Sequence, residues 1–377
     1  MLIDWYIPGT KAGGPVRSIF SLCEILKSEY DICIFTSNHD LGSTKAYPGI
    51  KTNEIFTKDG IKYVYFSSDQ SVAQRIIDKV NEFSPSIIYL NSFWSYPYSI
   101  SIVRAKQQKK INASVVLAPR GMLGSGALGL KSFKKKLFLF YARMSGIYQH
   151  VTFHASNEQE KIAIRKQFPG SKIFTVPNIN SAKTLVHQRK KEKGELKLFY
   201  LSRIARVKNL HFALKILSNI PSELKISYDI FGNQEDEHYW NECMEIIHQL
   251  PSNIKVSYKK ELSFIEVQEV ISEYHALFLP TLNENFGHSI VESLLSGCPV
   301  ICSDQTPWND MPQHQAGFAL SLQDEVGFRN AICSLANEDQ NEFNDRSKRA
   351  INYISSKLDL VRNTGLYKNM FNGTTEN

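Results

Sequence analysis

The densest group of side chains that could do chemistry lies in residues 276–304, which read ALFLPTLNENFGHSIVESLLSGCPVICSD. The pattern predicts a strand, a loop, a helix, a tight turn and a second strand. Asn283 and Asn285 are typical N-cap residues. The unpaired backbone N–H groups at the start of the helix would then belong to Phe286, Gly287 and His288. Such a helix start favours phosphate, because it combines free donors with the positive end of the helix dipole.

Two glutamates frame this predicted helix. Glu284 precedes it, and Glu292 lies within it among apolar residues. A carboxylate in apolar surroundings is costly unless it is paired, and the vicinal diol of a ribose offers it two O–H donors. Two turns of helix span roughly 11 Å, about the distance from a ribose past a pyrophosphate to a sugar. The alternative is a capping acid followed by a solvent-facing glutamate.

Two cations follow the predicted strand at 196–201, within the sequence LSRIARVKN. Arg203 and Lys208 lie in the turn that leads to the next helix. Two cations at the carboxyl end of a strand suit a pyrophosphate. Ordinary surface cations are the alternative.

A glycine-rich loop, GTKAGGPVRSI, occupies residues 9–19. It lacks the G-x-G-x-x-G fingerprint of dinucleotide-binding folds. Gly13 and Gly14 ahead of Pro15 predict a tight loop that enters a helix, with the proline in its first turn. Taken alone, the two glycines are equally typical of a plain turn.

The elements that must position these residues follow an alternating βαβα pattern, which predicts an α/β fold with parallel sheets. Strands are predicted at 2–7, 32–36, 62–66, 87–90, 114–118, 151–154, 196–201, 227–231, 254–257, 277–280 and 300–302. The charged stretch HQRKKEKGE at 187–195 predicts a domain linker or an exposed loop.

We therefore expect two doubly wound, Rossmann-like domains, at 1–180 and 181–355, with the ligand in the cleft between them at the carboxyl ends of the strands. A further helix in 356–377 would close the second domain or return to the first.

Composition sets the broad class of the protein. Of 377 residues, 42% are hydrophobic and 21% charged, which excludes disordered and low-complexity chains. No stretch near 18 uncharged apolar residues is present, so a spanning helix is not expected. Lys and Arg outnumber Asp and Glu by 44 to 37, a mild excess that suits anionic small ligands or an anionic membrane and does not demand nucleic acid. Six dispersed cysteines and the lack of a signal-peptide pattern predict a cytoplasmic protein with free thiols.

A basic and aromatic stretch at 131–143 predicts a helix that contacts an anionic membrane surface. The cations concerned are Lys131, Lys134, Lys135 and Lys136. An ordinary surface helix with a buried apolar face is the alternative. His154 ends a predicted strand just before a helix cap and could face the cleft, or it could be a structural histidine.

Together these motifs resemble the retaining GT-B glycosyltransferases of glycosyltransferase family 4, over essentially the whole chain. Four of the family's motifs occur in order. Gly13 and Gly14 match its Gly-Gly loop, and PNI at 177–179 resembles its PNG-type turn. Arg203 and Lys208 match its Arg…Lys pair, and Glu284 and Glu292 match its E-x7-E element. The segments APRGML at 118–123 and SDQTPW at 303–308 resemble a subgroup of bacterial polysaccharide-assembly transferases.

The resemblance implies a role for each site residue. Glu284 would contact hydroxyls of the donor sugar, and Glu292 would bind the ribose. Arg203 and Lys208 would neutralise the leaving nucleotide diphosphate, which the two glycines of the loop would also face. The backbone of residues 285–288 would hold the diphosphate or the sugar.

Three positions depart from the family pattern. Arg120 stands where a histidine that can contact the donor sugar often lies, so it would bind that sugar or an anionic acceptor. Gly232 and Asn233 stand in place of a G-x-G sequence, and Ile179 replaces the glycine of the PNG turn. His154 is the remaining candidate for a catalytic side chain.

The implied activity is retaining transfer of a sugar from a nucleotide-sugar, with UDP favoured, and without a metal or other cofactor. The acceptor would be a saccharide, linked to undecaprenyl or another lipid, in the synthesis of O-antigen, capsule or exopolysaccharide. Either a carboxylate nucleophile or a front-face route would give retention. The alternatives are another GT-B activity, such as an epimerase or phosphorylase, and a non-catalytic subunit that binds a nucleotide-sugar.

Overall fold

The structure, a computed structural model, describes residues 1–9, 11–124, 128, 132–182, 184, 188–262 and 264–373, with only the backbone of Ser132, Phe264 and Ile265. The chain divides into two compact units. Unit 1 comprises Met1–Ser181 and the chain from Leu360 onward, and unit 2 comprises Ala182–Asp359.

Unit 1 contains a mostly parallel sheet. Its strands are β1 (Cys33–Ser37), β2 (Ile55–Lys58), β3 (Ile61–Phe66), β4 (Ile87–Leu90), β5 (Ser114–Leu117), β6 (Val151–Ala155) and β7 (Ile173–Thr175). They form two ladders, β2-β3-β1 and β4-β5-β6-β7, and only β2 runs antiparallel to its neighbour. Leu2 joins the ladders through single bridges to Phe35 and Leu90.

The helices of unit 1 precede or follow these strands along the chain, and one further helix of the unit comes after unit 2. They are α1 (Gly14–Leu26), α2 (Val72–Phe83), α3 (Ser101–Gln107), α4 (Ser132–Ser145) and α5 (Glu158–Gln167). A π-helical turn at Tyr96–Ile100 precedes α3.

Unit 2 contains a parallel sheet in the order β10-β9-β8-β11-β12-β13. The strands are β8 (Glu195–Leu201), β9 (Lys225–Phe231), β10 (Ile254–Lys260), β11 (Ala276–Leu279), β12 (Val300–Ser303) and β13 (Gly317–Leu320). Its helices are α6 (Leu210–Leu217), α7 (Glu237–His248), α8 (Phe264–Ile271), α9 (His288–Leu295), α10 (Glu325–Asn337) and α11 (Gln340–Lys357), and α12 (Leu360–Asn372) then returns to unit 1.

Continuous apolar runs form the central strands, because a parallel sheet with helices on both faces has no solvated side. Every residue of β11 and β12 is buried. The predicted α/β architecture of two Rossmann-like domains is confirmed.

The direction of winding reverses between β8 and β11. From β8 the chain adds β9 and β10 toward one edge, then crosses back to add β11, β12 and β13 toward the other. At such a switch point the loops after the two central strands diverge, which leaves a crevice outside their carboxyl ends.

Two details of the prediction are wrong. The strand expected at 2–7 is reduced to the bridges of Leu2, because the chain turns where Gly9 N–H donates to the carbonyl of Tyr6 (2.9 Å). The stretch predicted as a domain linker or an exposed loop lies within unit 2, so it is not a linker, and it contains two buried cations, Arg189 and Lys191. Lys191 donates to the carbonyls of Ala336 (2.9 Å) and Glu338 (3.0 Å), so this part of the loop caps the end of α10.

Candidate functional site

The candidate donor-site residues of unit 2 lie on the loops after β8 and β11, at the switch point. The first loop carries Arg203 and Lys208, and the second carries Glu284 and leads to the start of α9. Sequence reasoning placed these residues at the ends of strands, and the sheet order makes the two strands direct neighbours.

Hydrogen bonds join the two loops directly. The carbonyl of Val207 accepts from the hydroxyl of Thr281 (3.0 Å) and from the amide of Leu282 (2.8 Å). The buried side-chain amide of Asn209 donates to the carbonyl of Pro280 (3.0 Å). These hydrogen bonds therefore fix the loop that carries Lys208 against the loop that carries Glu284.

Lys208 and Glu284 form an ion pair across these loops. Their side chains are 12% and 18% exposed, so the pair is partly withdrawn from water. The backbone of Glu284 is held as well, since its N–H donates to the carbonyl of Gln305 (3.0 Å). A cation and a carboxylate thus occupy the same crevice, one suited to an anionic ligand group and the other to hydroxyl donors.

Arg203 forms a separate ion pair with Glu235, which follows β9. The side chains are 36% and 43% exposed, so this pair adds little to stability and can exchange partners with water or a ligand. The carbonyl of Arg203 accepts from the hydroxyl of Tyr200 (2.8 Å), which fixes the backbone while leaving the guanidinium accessible.

Gly232 explains how the loops after β8 and β9 approach so closely. Its φ is +151°, and a Cβ added there would lie 1.8 Å from the carbonyl oxygen of Ser202. The amide of Ile204 also donates to the carbonyl of Asn233 (2.9 Å). The glycine is therefore required by the backbone contact between these loops.

The start of α9 differs from the prediction in one respect. Gly287, with φ +80°, is the N-cap residue, and Asn283 and Asn285 lie in the loop before it. A Cβ on Gly287 would meet Ile290 Cδ1 at 3.0 Å and Glu284 Cγ at 3.1 Å, so the sharp approach to the helix needs glycine. The predicted helix itself is confirmed, starting at His288.

Every residue of α9 is buried, including His288 and Glu292. The exposed fraction of Glu292 is 7%, which excludes the solvent-facing alternative for this carboxylate. The His288 ring lies 4.8 Å from that of Phe286, between centroids, at the beginning of the helix.

Trp308 supports the same turn and was not among the predicted site residues. Its indole N–H donates to the carbonyl of Phe286 (2.5 Å), and its ring lies 5.8 Å from the Phe286 ring. The amide of Trp308 is held in turn by the hydroxyl of Thr306 (3.2 Å). The sequence SDQTPW belongs to the resemblance, but nothing in it indicates which carbonyl the indole binds.

In unit 1, Gly13 and Gly14 lie where the glycine-rich loop enters α1. Gly13 is the N-cap residue with φ +66°, and Pro15 lies in the first turn, as predicted. The carbonyl of Gly13 accepts from the amides of Val16 (3.2 Å) and Arg17 (3.4 Å). A conformation with positive φ is strained for residues other than glycine.

Arg120 lies just beyond β5 with a φ of +55°. Its guanidinium donates to Asn91 Oδ1 (2.7 Å), to the hydroxyl of Tyr89 (3.1 Å) and to Asn178 Oδ1. It also lies 5.8 Å from the centre of the Tyr89 ring. These three partners are neutral oxygens, and they tie the end of β5 to the end of β4 and to residue 178.

His154 is buried with both ring nitrogens engaged. Nε2 lies 2.7 Å from the carbonyl of Val176, which requires the proton on that nitrogen, so Nδ1 accepts from the hydroxyl of Tyr89 (2.6 Å). Burial, with a contribution from the nearby Arg120 cation, lowers the pKa of His154 to about 3. These are the contacts of a structural histidine, which was the alternative to a catalytic one.

Of the four lysines expected to meet a membrane, Lys131 lies outside the described residues. Lys134 and Lys136 are exposed on α4. The ammonium of Lys135 lies 5.6 Å from the centre of the Trp94 ring and faces the protein. Helix α4 thus carries two of the predicted cations on its accessible surface.

The described residues bear on two further expectations, a metal site and a membrane-spanning helix. No three His, Cys, Asp or Glu side chains in that part of the chain are grouped so that they could hold a metal ion. Among the described helices, none has both the length and the apolar character needed to cross a bilayer.

Residues 182–352 match the family described as "Glycosyl transferases group 1". Two curated relatives share 24% identity with the chain. The match to the O-antigen chain mannosyltransferase RfbU of Salmonella typhimurium covers 59% of this chain and 60% of that protein. The match to the GtfA subunit of a UDP-N-acetylglucosamine–peptide N-acetylglucosaminyltransferase of Streptococcus pneumoniae covers 50% of this chain and 39% of that protein. The matches therefore span less than two thirds of either relative.

Solved structures resemble the chain over nearly its whole length. Sucrose-phosphate synthase from Thermosynechococcus elongatus has a TM-score of 0.72 at 14% identity, with 97% of this chain and 96% of that one covered. HepE from Anabaena, in complex with UDP and glucose, has a TM-score of 0.72 at 12% identity, with 99% of this chain and 100% of that one covered. WaaG, a glycosyltransferase involved in lipopolysaccharide biosynthesis, has a TM-score of 0.66 at 11% identity, with 99% of each chain covered. Residues 182–352 thus resemble glycosyl transferases group 1, and the chain has the GT-B fold of glycosyltransferases.

Proposed function

We propose that this protein is a retaining glycosyltransferase that moves a sugar from a nucleotide-sugar to a saccharide acceptor. The proposal rests on the ion pair between Lys208 and Glu284. This pair lies at the switch point of the sheet, within the region that matches glycosyl transferases group 1. One crevice there offers a cation for a leaving diphosphate and a carboxylate for sugar hydroxyls.

The proposed donor site has four parts. Lys208 and Arg203 bind the diphosphate, and the backbone N–H groups at the start of α9 add donors to the same phosphates. Glu284 accepts hydrogen bonds from hydroxyls of the transferred sugar. Glu292, buried within α9, accepts from the ribose diol. For unit 1 we propose a phosphate-facing role for the Gly13 and Gly14 loop.

In the proposed reaction the bond between the anomeric carbon and the diphosphate oxygen breaks, and a bond from the acceptor hydroxyl oxygen to the same carbon forms. The acceptor proton passes to the leaving diphosphate, and attack on the face that the diphosphate leaves gives retention. Negative charge grows on the diphosphate as its bond breaks, so Arg203 and Lys208 stabilise the transition state more than the ground state. No metal is part of this proposal.

UDP is the favoured nucleotide, because the name of one relative and the ligand of one structural neighbour contain it. The names of RfbU and WaaG support a place in bacterial surface polysaccharide synthesis. A lipid-linked acceptor at the inner face of the plasma membrane is part of our proposal. Family 4 membership is part of the same proposal.

Thermal-shift measurements with a panel of nucleotide-sugars test the donor, and transfer from labelled donors tests the reaction. We expect one UDP-sugar to raise Tm and to be consumed equally well with and without EDTA. NMR of the product should show the anomeric configuration of the donor. Loss of activity in EDTA that Mg²⁺ restores would contradict the metal-free site, and an inverted product would contradict retention.

A non-catalytic role is the second candidate, because one relative is named as a subunit of a larger transferase. A protein that binds a nucleotide-sugar and shows turnover only with a partner chain would favour it. Turnover by the purified chain alone would exclude it. An epimerase or phosphorylase would instead convert or release the sugar without a saccharide acceptor.

A further inference from the structure

The basic excess of the protein is concentrated in one stretch of unit 1. Residues 83–157 contain ten Lys and Arg and no Asp or Glu. The rest of the chain therefore carries 34 basic and 37 acidic residues, so the net charge of +7 comes from this stretch. Helix α4 lies within it.

The inner face of α4 packs on unit 1 in the usual way. Leu139 and Ala142 are buried, and the Phe138 ring lies 5.7 Å from the ring of Trp94. Successive helical residues are offset by about 100°, so these three positions and Lys135 lie on one side of the helix. That side accounts for the attachment of α4 to its unit.

The opposite face of α4 is also apolar, and it is exposed. Four of its side chains fall within an arc of about 60°, and they are Phe133 (79% exposed), Leu137 (60%), Phe140 (64%) and Met144 (75%). Scattered exposed apolar residues are normal on protein surfaces. A continuous stripe along three turns of helix is not, and it marks an interaction surface.

Cations flank this stripe on both sides. By the same helical geometry, Lys134 lies along one edge and Lys136 and Arg143 lie along the other, and all three are exposed. The guanidinium of Arg143 donates to the carbonyl of Gln167 (2.7 Å), so the two lysines are the cations that can reach outward. Long basic side chains at the edge of an apolar face can reach toward anionic groups while their stems stay among apolar ones.

The neighbouring surface continues the same pattern. Helix α3 lies beside α4, because the side chain of Gln107 donates to the carbonyl of Ser145 (2.8 Å). The exposed Lys109 and Lys110 follow α3. Tyr96 is 56% exposed, and the centre of its ring lies 6.0 Å from the guanidinium carbon of Arg104.

We propose that α4 lies in the surface of an anionic phospholipid bilayer, with Phe133, Leu137, Phe140 and Met144 inserted at the level of the acyl chains and Lys134 and Lys136 at the headgroups. The inference deepens the proposed function, on which it rests for a lipid-linked acceptor, by naming the side chains that reach the lipid. A bilayer fits this face better than a second copy of the chain does. Two copies would bring like-charged rows together, whereas anionic lipids attract them.

Cosedimentation of the full chain with vesicles tests the proposal. We expect binding to vesicles of phosphatidylcholine mixed with phosphatidylglycerol and much weaker binding to phosphatidylcholine alone. A four-glutamine variant should bind the anionic vesicles about tenfold more weakly or worse. It combines Phe133→Gln, Leu137→Gln, Phe140→Gln and Met144→Gln. The control, Ile162→Gln with Val361→Gln, removes two apolar residues that are 66% and 86% exposed elsewhere in unit 1 and should bind like the parent.

Depth of insertion separates this proposal from simple electrostatic adsorption. The emission that a Phe140→Trp variant adds to that of the four native tryptophans, obtained by subtracting the parent spectrum, should shift to the blue with anionic vesicles. Lipids brominated on their acyl chains should quench this added emission. Full binding by the four-glutamine variant, or no quenching at position 140, would overturn insertion. Light scattering in the absence of lipid gives a further test. Insertion would also be overturned if the parent chain forms a dimer and the four-glutamine variant is a monomer.

Failure of this proposal can be told apart from failure of the proposed function. The four-glutamine variant should transfer sugar to a short water-soluble acceptor as fast as the parent, because α4 carries none of the donor-site residues. If the parent binds vesicles but transfers no sugar, the proposed function fails and the membrane contact stands. If it transfers sugar but ignores anionic vesicles, only the membrane contact fails.

Discussion

Lys208 and Glu284 form an ion pair between loops that follow neighbouring strands, although 75 residues separate them in the sequence. Both side chains are less than one-fifth exposed. The lysine is therefore held in the crevice by a carboxylate before any ligand arrives. A diphosphate that enters would meet a cation already in position, which lowers the cost of reorganisation.

Replacing Lys208 with Ala should lower kcat by about 10²–10³-fold, because in the proposed reaction the leaving diphosphate would lose a preorganised cation. Steady-state kinetics with the preferred donor measure the loss, and circular dichroism checks folding. Lys215→Ala removes an exposed cation of α6 and is the matched control. An unchanged kcat in a folded Lys208→Ala protein would contradict the assignment.

Replacing Gly232 with Ala should destabilise unit 2 by about 2 kcal/mol or more, because the backbone has positive φ and the new Cβ would overlap the carbonyl of Ser202. Urea unfolding measures the change. Gly365→Ala in α12 is the contrasting substitution, since no atom lies within 4 Å of its added Cβ. It should raise stability by about 0.5–1 kcal/mol. Equal effects at the two sites would contradict the backbone contact.

Replacing Trp308 with Phe should raise the Kd or KM for the donor about fivefold to tenfold, since the Phe286 carbonyl loses the hydrogen bond that holds the turn. Calorimetric titration with the donor checks this. The control is Tyr228→Phe, which removes a buried hydroxyl bond to the carbonyl of Phe278 (2.9 Å) within the sheet. That variant should lose stability and keep its donor affinity. Donor affinity that changes equally in both variants would point to a general loss of rigidity.

His154 should make unit 1 less stable in mild acid. Its pKa is about 3 in the folded protein against 6.5 in the unfolded chain. The unfolded chain therefore binds the extra proton as pH falls below 6.5, and the folded state loses up to about 1.4 kcal/mol per pH unit until pH approaches 3. Above 6.5 neither state is protonated and the effect is absent.

Hydrogen exchange of amides in β6, measured at pH 7.5 and 5.5, tests this prediction through His154→Gln. Glutamine offers one donor and one acceptor without titrating, so the variant should show a flatter pH dependence of stability. His275 in unit 2, whose pKa burial lowers to about 4, is unchanged in both proteins. Parallel pH dependences in parent and variant would rule out the contribution of His154.

The fold class and the helix at His288 were predictable because their signals are local and periodic. Apolar runs such as those of β11 and β12 are typical of strands buried on both faces, and the glycines before Pro15 directly predict a helix start. The strands β2, β7 and β13 were not predicted. They are short and partly exposed, so they lack the apolar run that identified the others.

The site could be predicted as a set of residues but not as an arrangement. The sequence shows that Lys208 and Glu284 each follow a strand, whereas the pairing of β8 with β11 is set by long-range contacts. The N-cap of α9 was misplaced because Asn283 and Asn285 have strong capping preferences, while the tight approach of Glu284 to Gly287 favours glycine. The partners of His154 and Trp308 are likewise distant in sequence.

Helix α12 has a consequence for how the protein is made. It belongs to unit 1, where the Phe371 ring lies 5.4 Å from the buried Tyr89 ring and Lys368 pairs with Glu29. The ribosome therefore releases all of unit 2 before the last helix of unit 1 emerges. Unit 2 can finish folding while the nascent unit 1 still has an apolar face open to chaperones. A fragment ending at Ser181 would keep that face open permanently.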